Sequence, residues 1–322
     1  MPGLLAADLP HAEPNAASFG FLAIEETTRT IRVRPGGFAL DRPLVVPEGW
    51  TFAMSSGTQL ELRGEARILS RSPLDLQGTE EAPIVIRSDG TDGHGIVVLG
   101  AERTSQLRWV RFLGLDSPAQ GGFAPTGAVT FLESPVEIEH CEFAGSRAGE
   151  ALNVVRSPFR IEHSLFRDAA SDAFDADFSD GRVAHSAFTG MGTDAIDLAG
   201  SGVELEDLVI EDAGHEGLSA GERSVVAAKR VRITGAKVGL TSRDGSEVRV
   251  HGLALGSAGI GLAVFQKKPA YGPASMEVEQ ASFDRIGTPY AVEKGSHLVV
   301  DGKEIPAGGS GLGQTLYGAA TP

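Results

Sequence analysis

The chain has 322 residues, 41% of them apolar, enough for a packed core and too many for a disordered polymer. Lys and Arg number 28 against 43 Asp and Glu, and the resulting net charge of −15 argues against nucleic acid and anionic membrane as main partners. One cysteine, Cys141, excludes an internal disulfide, and no apolar run of about 18 residues is present to insert in a membrane.

Residues 1–20 are rich in Gly, Ala and Pro and lack the basic and apolar regions of a signal peptide. With residues 21–43, expected to supply a strand or helix over the first coil, they make a leader and cap spanning 1–43. From 44 to 306, apolar and polar residues alternate across turns marked by Gly, Pro, Ser and Asp, the pattern of short strands. "VEIEHCEF", "FRIEHSLF" and "GRVAHSAF" align, with His140, His163 and His185 at one turn position. These histidines are expected to form a polar ladder and not a metal site. Residues 307–322 read as a flexible tail.

The strongest signal lies in the second half. Asp172, Asp194, Glu216, Val238 and Ile260 follow one another at steps of 22, and two residues after each comes Phe174, Ile196, Leu218, Leu240 or Leu262. Each unit holds three short alternations, such as Ile196/Leu198, Val203/Leu205 and Leu208/Ile210. Three strands in about 22 residues make one coil of a parallel β-helix. A leucine-rich repeat would need a helical side, and a propeller blade has about twice the period. The predicted fold is therefore all-β, a single parallel solenoid with the Phe174–Leu262 column inside.

Coils of such a solenoid stack about 4.8 Å apart, so a sequence column becomes a ladder of near neighbours. Two columns are acidic. Asp172, Asp194 and Glu216 enter the first strand of each coil, and Asp175 and Asp197 lie on its outward face, followed by Ser219. Asp177 and Asp180 flank one edge, His215 and Glu222 the other. Like charges at that spacing resist joint ionisation. One carboxyl stays protonated as a general acid, or a cation bridges, or turn donors compensate. The catalytic candidates are Asp172, Asp175, Asp194, Asp197 and His215. The calcium candidates are Asp172, Asp194 and Glu216. Arg243 and Phe265 fall in the column of Asp177, and Lys267, Lys268 and Tyr271 follow. With Asp177, Glu216 and Glu222 these read as a polar groove with aromatic platforms for an extended carbohydrate.

The order "DAFDADFSDG", "GTDAIDLAGS", "GHEGLSAGERS", "GLTSRDGS", "FQKKPAYGPA" resembles the right-handed parallel β-helix, or pectin-lyase-like, domains of bacterial extracellular proteins, of the kind that accompany spore-coat-kinase-like modules. That resemblance covers about residues 44–300 and implies the handedness of the fold and an extracellular or cell-envelope location. A weaker similarity is to polygalacturonase-type glycoside hydrolases. It maps Asp172, Asp194 and His215 onto their acidic and histidine motifs, with Thr193 replacing one aspartate of the pair and no "RIK" motif near Arg243. The function expected is a protein that binds or acts on a polysaccharide along the first-strand face, as hydrolase, lyase or epimerase. The alternative is a non-catalytic surface solenoid stiffened by calcium. Adjacent-coil carboxylates lie about 5 Å apart and alternate-coil ones about 10 Å, which brackets retaining and inverting geometries.

Overall fold

A computed structural model describes residues 13–91, 93–118 and 125–318. Most of the expected leader, residues 1–12, and the last four residues, 319–322, lie outside the described ones. The chain is an all-β parallel solenoid, as the alternation predicts. It divides into two compact units, Met1–Ala173 and Phe174–Pro322, with the division inside the strand Asp172–Asp177.

The first unit opens on an antiparallel hairpin, Leu22–Glu25 against Thr30–Val33. The second hairpin strand then pairs in parallel with Thr51–Ser55, which starts the coils. A hairpin here covers an edge whose N–H and C=O groups would otherwise invite pairing with another chain. Phe19, Phe21 and Phe38 gather beside it, with successive ring centroids 5.7 and 5.2 Å apart. Beyond this cap, three parallel ladders run through the unit. One passes through Leu44–Val46, Ile68–Ser70, Ile96–Leu99, Gly127–Leu132 and Glu150–Val155. Apolar side chains face inward and stack like on like. Phe112, Phe143 and Phe166 have centroids 4.8 and 4.7 Å apart, the repeat of the ladder itself. In the turn after one strand of each coil, Trp109, His140 and His163 take positive φ and stack at 4.4 and 4.9 Å. That is the turn position expected for the histidines.

Cys141 lies inside the first unit, 2% exposed, and burial pushes its thiol up to about 12. At pH 8 the folded thiol is then almost wholly protonated, whereas an unfolded one ionises appreciably. Alkylation by iodoacetamide at pH 8 is expected to run about a thousandfold slower in native than in urea-unfolded protein. Equal rates would place Cys141 at the surface.

In the second unit Phe174, Ile196, Leu218, Leu240 and Leu262 pair in register on successive coils, each at most 1% exposed. This is the predicted inner column. The unit ends with His297–Val300 antiparallel to Lys303–Glu304. A short helix, α1 (Leu312–Tyr317), follows in the stretch read from sequence as a tail. Leu312, Leu316 and Tyr317 pack on Val238, Ala263 and Phe265. The Glu293 carboxylate holds the start of α1. Its Oε1 accepts from the backbone N–H of Gly311 (2.5 Å) and Leu312 (3.2 Å), and its Oε2 from that of Gln266 (2.7 Å).

Candidate functional site

The second unit carries most of the residues singled out from sequence, and its strand register decides which of them meet. Asp175 lies opposite Asp197, and Asp197 opposite Ser219. The column continues through Thr241 to Ala263. Asp175, Asp177 and Asp197 are half-buried and face outward as expected. From Ser219 onward the column is closed, because α1 packs over Val238, Ala263 and Phe265. Phe265, expected as an exposed platform for a sugar ring, is 0% exposed under Tyr317, their centroids 6.0 Å apart. The predicted open groove therefore does not extend to Phe265.

Arg243, expected as a basic group facing the groove, is buried as well. Its Nη2 donates to Asp197 Oδ1 (3.1 Å), and its Nη1 to Glu222 Oε1 (3.2 Å) and Asp244 Oδ2 (3.5 Å). Glu222 and Asp244 are buried too, and Lys268 Nζ donates to Glu222. Asp244 Oδ1 accepts from the backbone N–H of Lys267 (2.7 Å) and Lys268 (2.5 Å), which ties the following loop to the network. Gly221 makes room for the guanidinium, since a Cβ there would lie 2.3 Å from Arg243 Nη1. Burial works against the charge on Arg243, but Asp197 and Glu222 outweigh it and hold the guanidinium well above its ordinary value. Burial pushes the Asp197 carboxyl up to about 7, with Arg243 pulling the other way.

Beside this network Asp194, His215 and Glu216 come together, with one ligand atom of each within 4.8 Å of the others. Consecutive residues of a strand point to opposite faces. Here the pairing with the next coil slips between Ala213 and Glu216, and such a bulge lets His215 and Glu216 reach one site. Asp194 Oδ1 accepts from the backbone N–H of Glu216 (2.9 Å) and faces His215 Nδ1 at 3.3 Å. The Asp194 bond, more than any other contact, raises the affinity of the His215 ring for its proton, and the Leu316 backbone adds to it. Glu216 is 0% exposed. Its Oε1 accepts from Thr241 Oγ1 (2.7 Å) and Tyr317 Oη (2.5 Å), while its Oε2 has no hydrogen-bond partner. Burial, followed by Glu216, raises the Tyr317 phenol above its ordinary value.

Asp172, a candidate for both catalysis and calcium, begins the strand that carries Asp175 and Asp177, and the cluster of possible ligands among the described residues is Asp194, His215 and Glu216. Lys267 Nζ lies 3.8 Å from the centre of the Tyr317 ring, and burial followed by Arg243 lowers its proton affinity. Tyr271 sits under Arg223, 5.7 Å from ring centre to guanidinium.

Neither Tyr317 nor Phe178 stands out in the sequence as a site residue. Tyr317 lies 101 residues from Glu216, and nothing in its surroundings signals that it returns. Phe178 follows Asp177 in a turn with φ 50 and is 59% exposed. An apolar residue where the repeat calls for a turn was its available signal. Gly200 is what lets the ring lie over the next coil, because a Cβ there would approach Phe178 Cδ1 to 2.6 Å.

No protein-family model matches the chain, and no curated protein sequence matches it. Solved structures do. The periplasmic alginate epimerase AlgG superposes with a TM-score of 0.57 at 14% identity, over 90% of this chain and 80% of that one. A double mutant of the same enzyme gives 0.57 and 14% over 87% and 79%. The catalytic unit of a GH87 α-1,3-glucanase from Streptomyces thermodiastaticus gives 0.47 and 10% over 94% and 69%. At these identities the epimerase likeness shows the fold, a right-handed parallel β-helix. No helix among the described residues is long and apolar enough to cross a membrane.

Proposed function

We propose that the second unit engages an extended, neutral polysaccharide along the open part of its first-strand face, and that the protein works outside the cell or in its envelope. One observation carries the reading: an aromatic ring, Phe178, left 59% exposed in the turn directly after the strand that carries Asp175 and Asp177 on its outward face, with Asp197 paired to Asp175 on the next coil. A lone aromatic with carboxylates around it matches a pyranose, which offers an apolar face to the ring and hydroxyl donors to the acids. Support comes also from the fold, shared with a periplasmic enzyme that acts on alginate. A polyuronate such as alginate would meet repulsion at this acidic face, so a neutral glycan is the better fit.

Asp175 and Asp197, opposite each other on adjacent coils, are the groups this reading assigns to acid–base chemistry. A second reading, a binding solenoid without chemistry, is favoured by the ion network in which Arg243 holds Asp197. Affinity electrophoresis with laminarin, dextran and alginate tests the proposal. Retardation by a neutral glucan is expected, weakened about fivefold in Phe178→Ala, since an aromatic stacking contact contributes about 1 kcal/mol. Retardation by alginate alone, or by a glucan with no change in Phe178→Ala, would overturn it. Sugar release by wild type and its loss in Asp197→Asn decide between the two readings.

A further inference from the structure

We propose that Asp194, His215 and Glu216 form a site for a divalent first-row transition ion of the zinc or manganese class. The inference stands whether or not a glycan binds, because it uses different side chains from those assigned to the sugar.

The geometry is that of ligands sharing one ion. Asp194 Oδ1 and His215 Nδ1 lie 3.3 Å apart. Two ligands of a tetrahedral ion with bonds of about 2.0–2.1 Å are separated by about the same distance. Glu216 supplies the third ligand. Its Oε2 has no hydrogen-bond partner although the side chain is 0% exposed, a costly state for a carboxylate oxygen that an ion would relieve.

The surroundings fit ligation as well. Ligands of a metal are usually fixed by a second set of hydrogen bonds, and a ligating histidine usually donates its other ring N–H to a carbonyl or carboxylate. Here Thr241 and Tyr317 both donate to Glu216 Oε1, which aims the carboxylate and leaves Oε2 for the ion. The backbone N–H of Glu216 fixes Asp194. With Nδ1 turned to Asp194, the remaining nitrogen of His215 is the one available to the Leu316 backbone. Two carboxylates and a neutral imidazole balance a charge of two. The nearby Arg243 is already answered by Asp197, Glu222 and Asp244, so it adds no net repulsion.

The donor set also selects the ion. Calcium takes six to eight oxygen ligands in open, flexible cages, whereas an imidazole nitrogen with two carboxylates suits zinc or manganese. On this proposal the site takes an ion with affinity for nitrogen, where the acidic column by itself suggested calcium.

Isothermal calorimetry of the full chain, stripped with chelator and titrated with zinc chloride at pH 7, tests the proposal. One zinc ion per chain is expected, with affinity at least tenfold lower in His215→Gln and in Glu216→Gln. The control His251→Gln, at a histidine paired with Glu279 on another ladder, should bind as wild type does. Calcium at equal concentration should not displace the zinc. Circular dichroism verifies that each variant folds. If buried Glu216→Gln does not, His215→Gln, whose side chain is partly exposed, decides alone. Absence of zinc binding, equal zinc affinity in His215→Gln and wild type, or displacement by equimolar calcium would each overturn the site.

Discussion

Leu218→Asp will abolish cooperative folding of the second unit. Leu218 is 1% exposed in the middle of the inner column, between Ile196 and Leu240. An aspartate there buries a charge among aliphatic side chains with no cation or donor on that face, a penalty of several kcal/mol even after relaxation. The whole stability of a domain is about 5–15 kcal/mol, so one such charge takes up much or all of it. Leu218→Ala, which leaves a cavity without adding a charge, should cost about 2–5 kcal/mol and still fold. Urea denaturation followed by circular dichroism separates the two. A cooperative transition near the wild-type midpoint in Leu218→Asp would mean that the column does not face the core.

Arg243→Met will destabilise the second unit by about 3–5 kcal/mol, the range found when one partner of a buried ion pair is removed. The methionine fills much of the volume of the arginine stem but leaves Asp197, Glu222 and Asp244 without their shared guanidinium. Glu222 keeps Lys268, and Asp244 keeps two backbone donors, so Asp197 bears most of the loss. Adding Asp197→Asn to Arg243→Met should therefore recover part of the stability. Chemical denaturation of the four proteins of this double-mutant cycle gives the coupling directly. A loss below about 1 kcal/mol would show a surface ion pair in place of a buried network.

The parts of the fold readable from sequence are those the repeat repeats. Phe174 to Leu262 could be placed because identical coils put identical chemistry at identical positions, and the register follows from spacing alone. The facing of Asp175 opposite Asp197 was legible for the same reason. What covers the repeat was not. α1 has six residues between two glycines of positive φ, too few for a helical period to show. Its packing turned Phe265 from an exposed platform into core and brought Tyr317 to Glu216. The pairing of His215 with Glu216 depends on a bulge, which a count in steps of 22 passes over. Arg243 lay in the column assigned to it, but the three carboxylates that enclose it come from three different coils.

A neutral sugar ring is expected to rest on Phe178, at the end of the strand face that carries Asp175, Asp177 and Asp197. A crystal structure of the protein soaked with a laminarin oligosaccharide tests it most directly. The expected result is a pyranose stacked on the Phe178 ring, its hydroxyls donating to at least one of those three carboxylates. A sugar bound elsewhere on the protein, with Phe178 in contact with solvent alone, would contradict it.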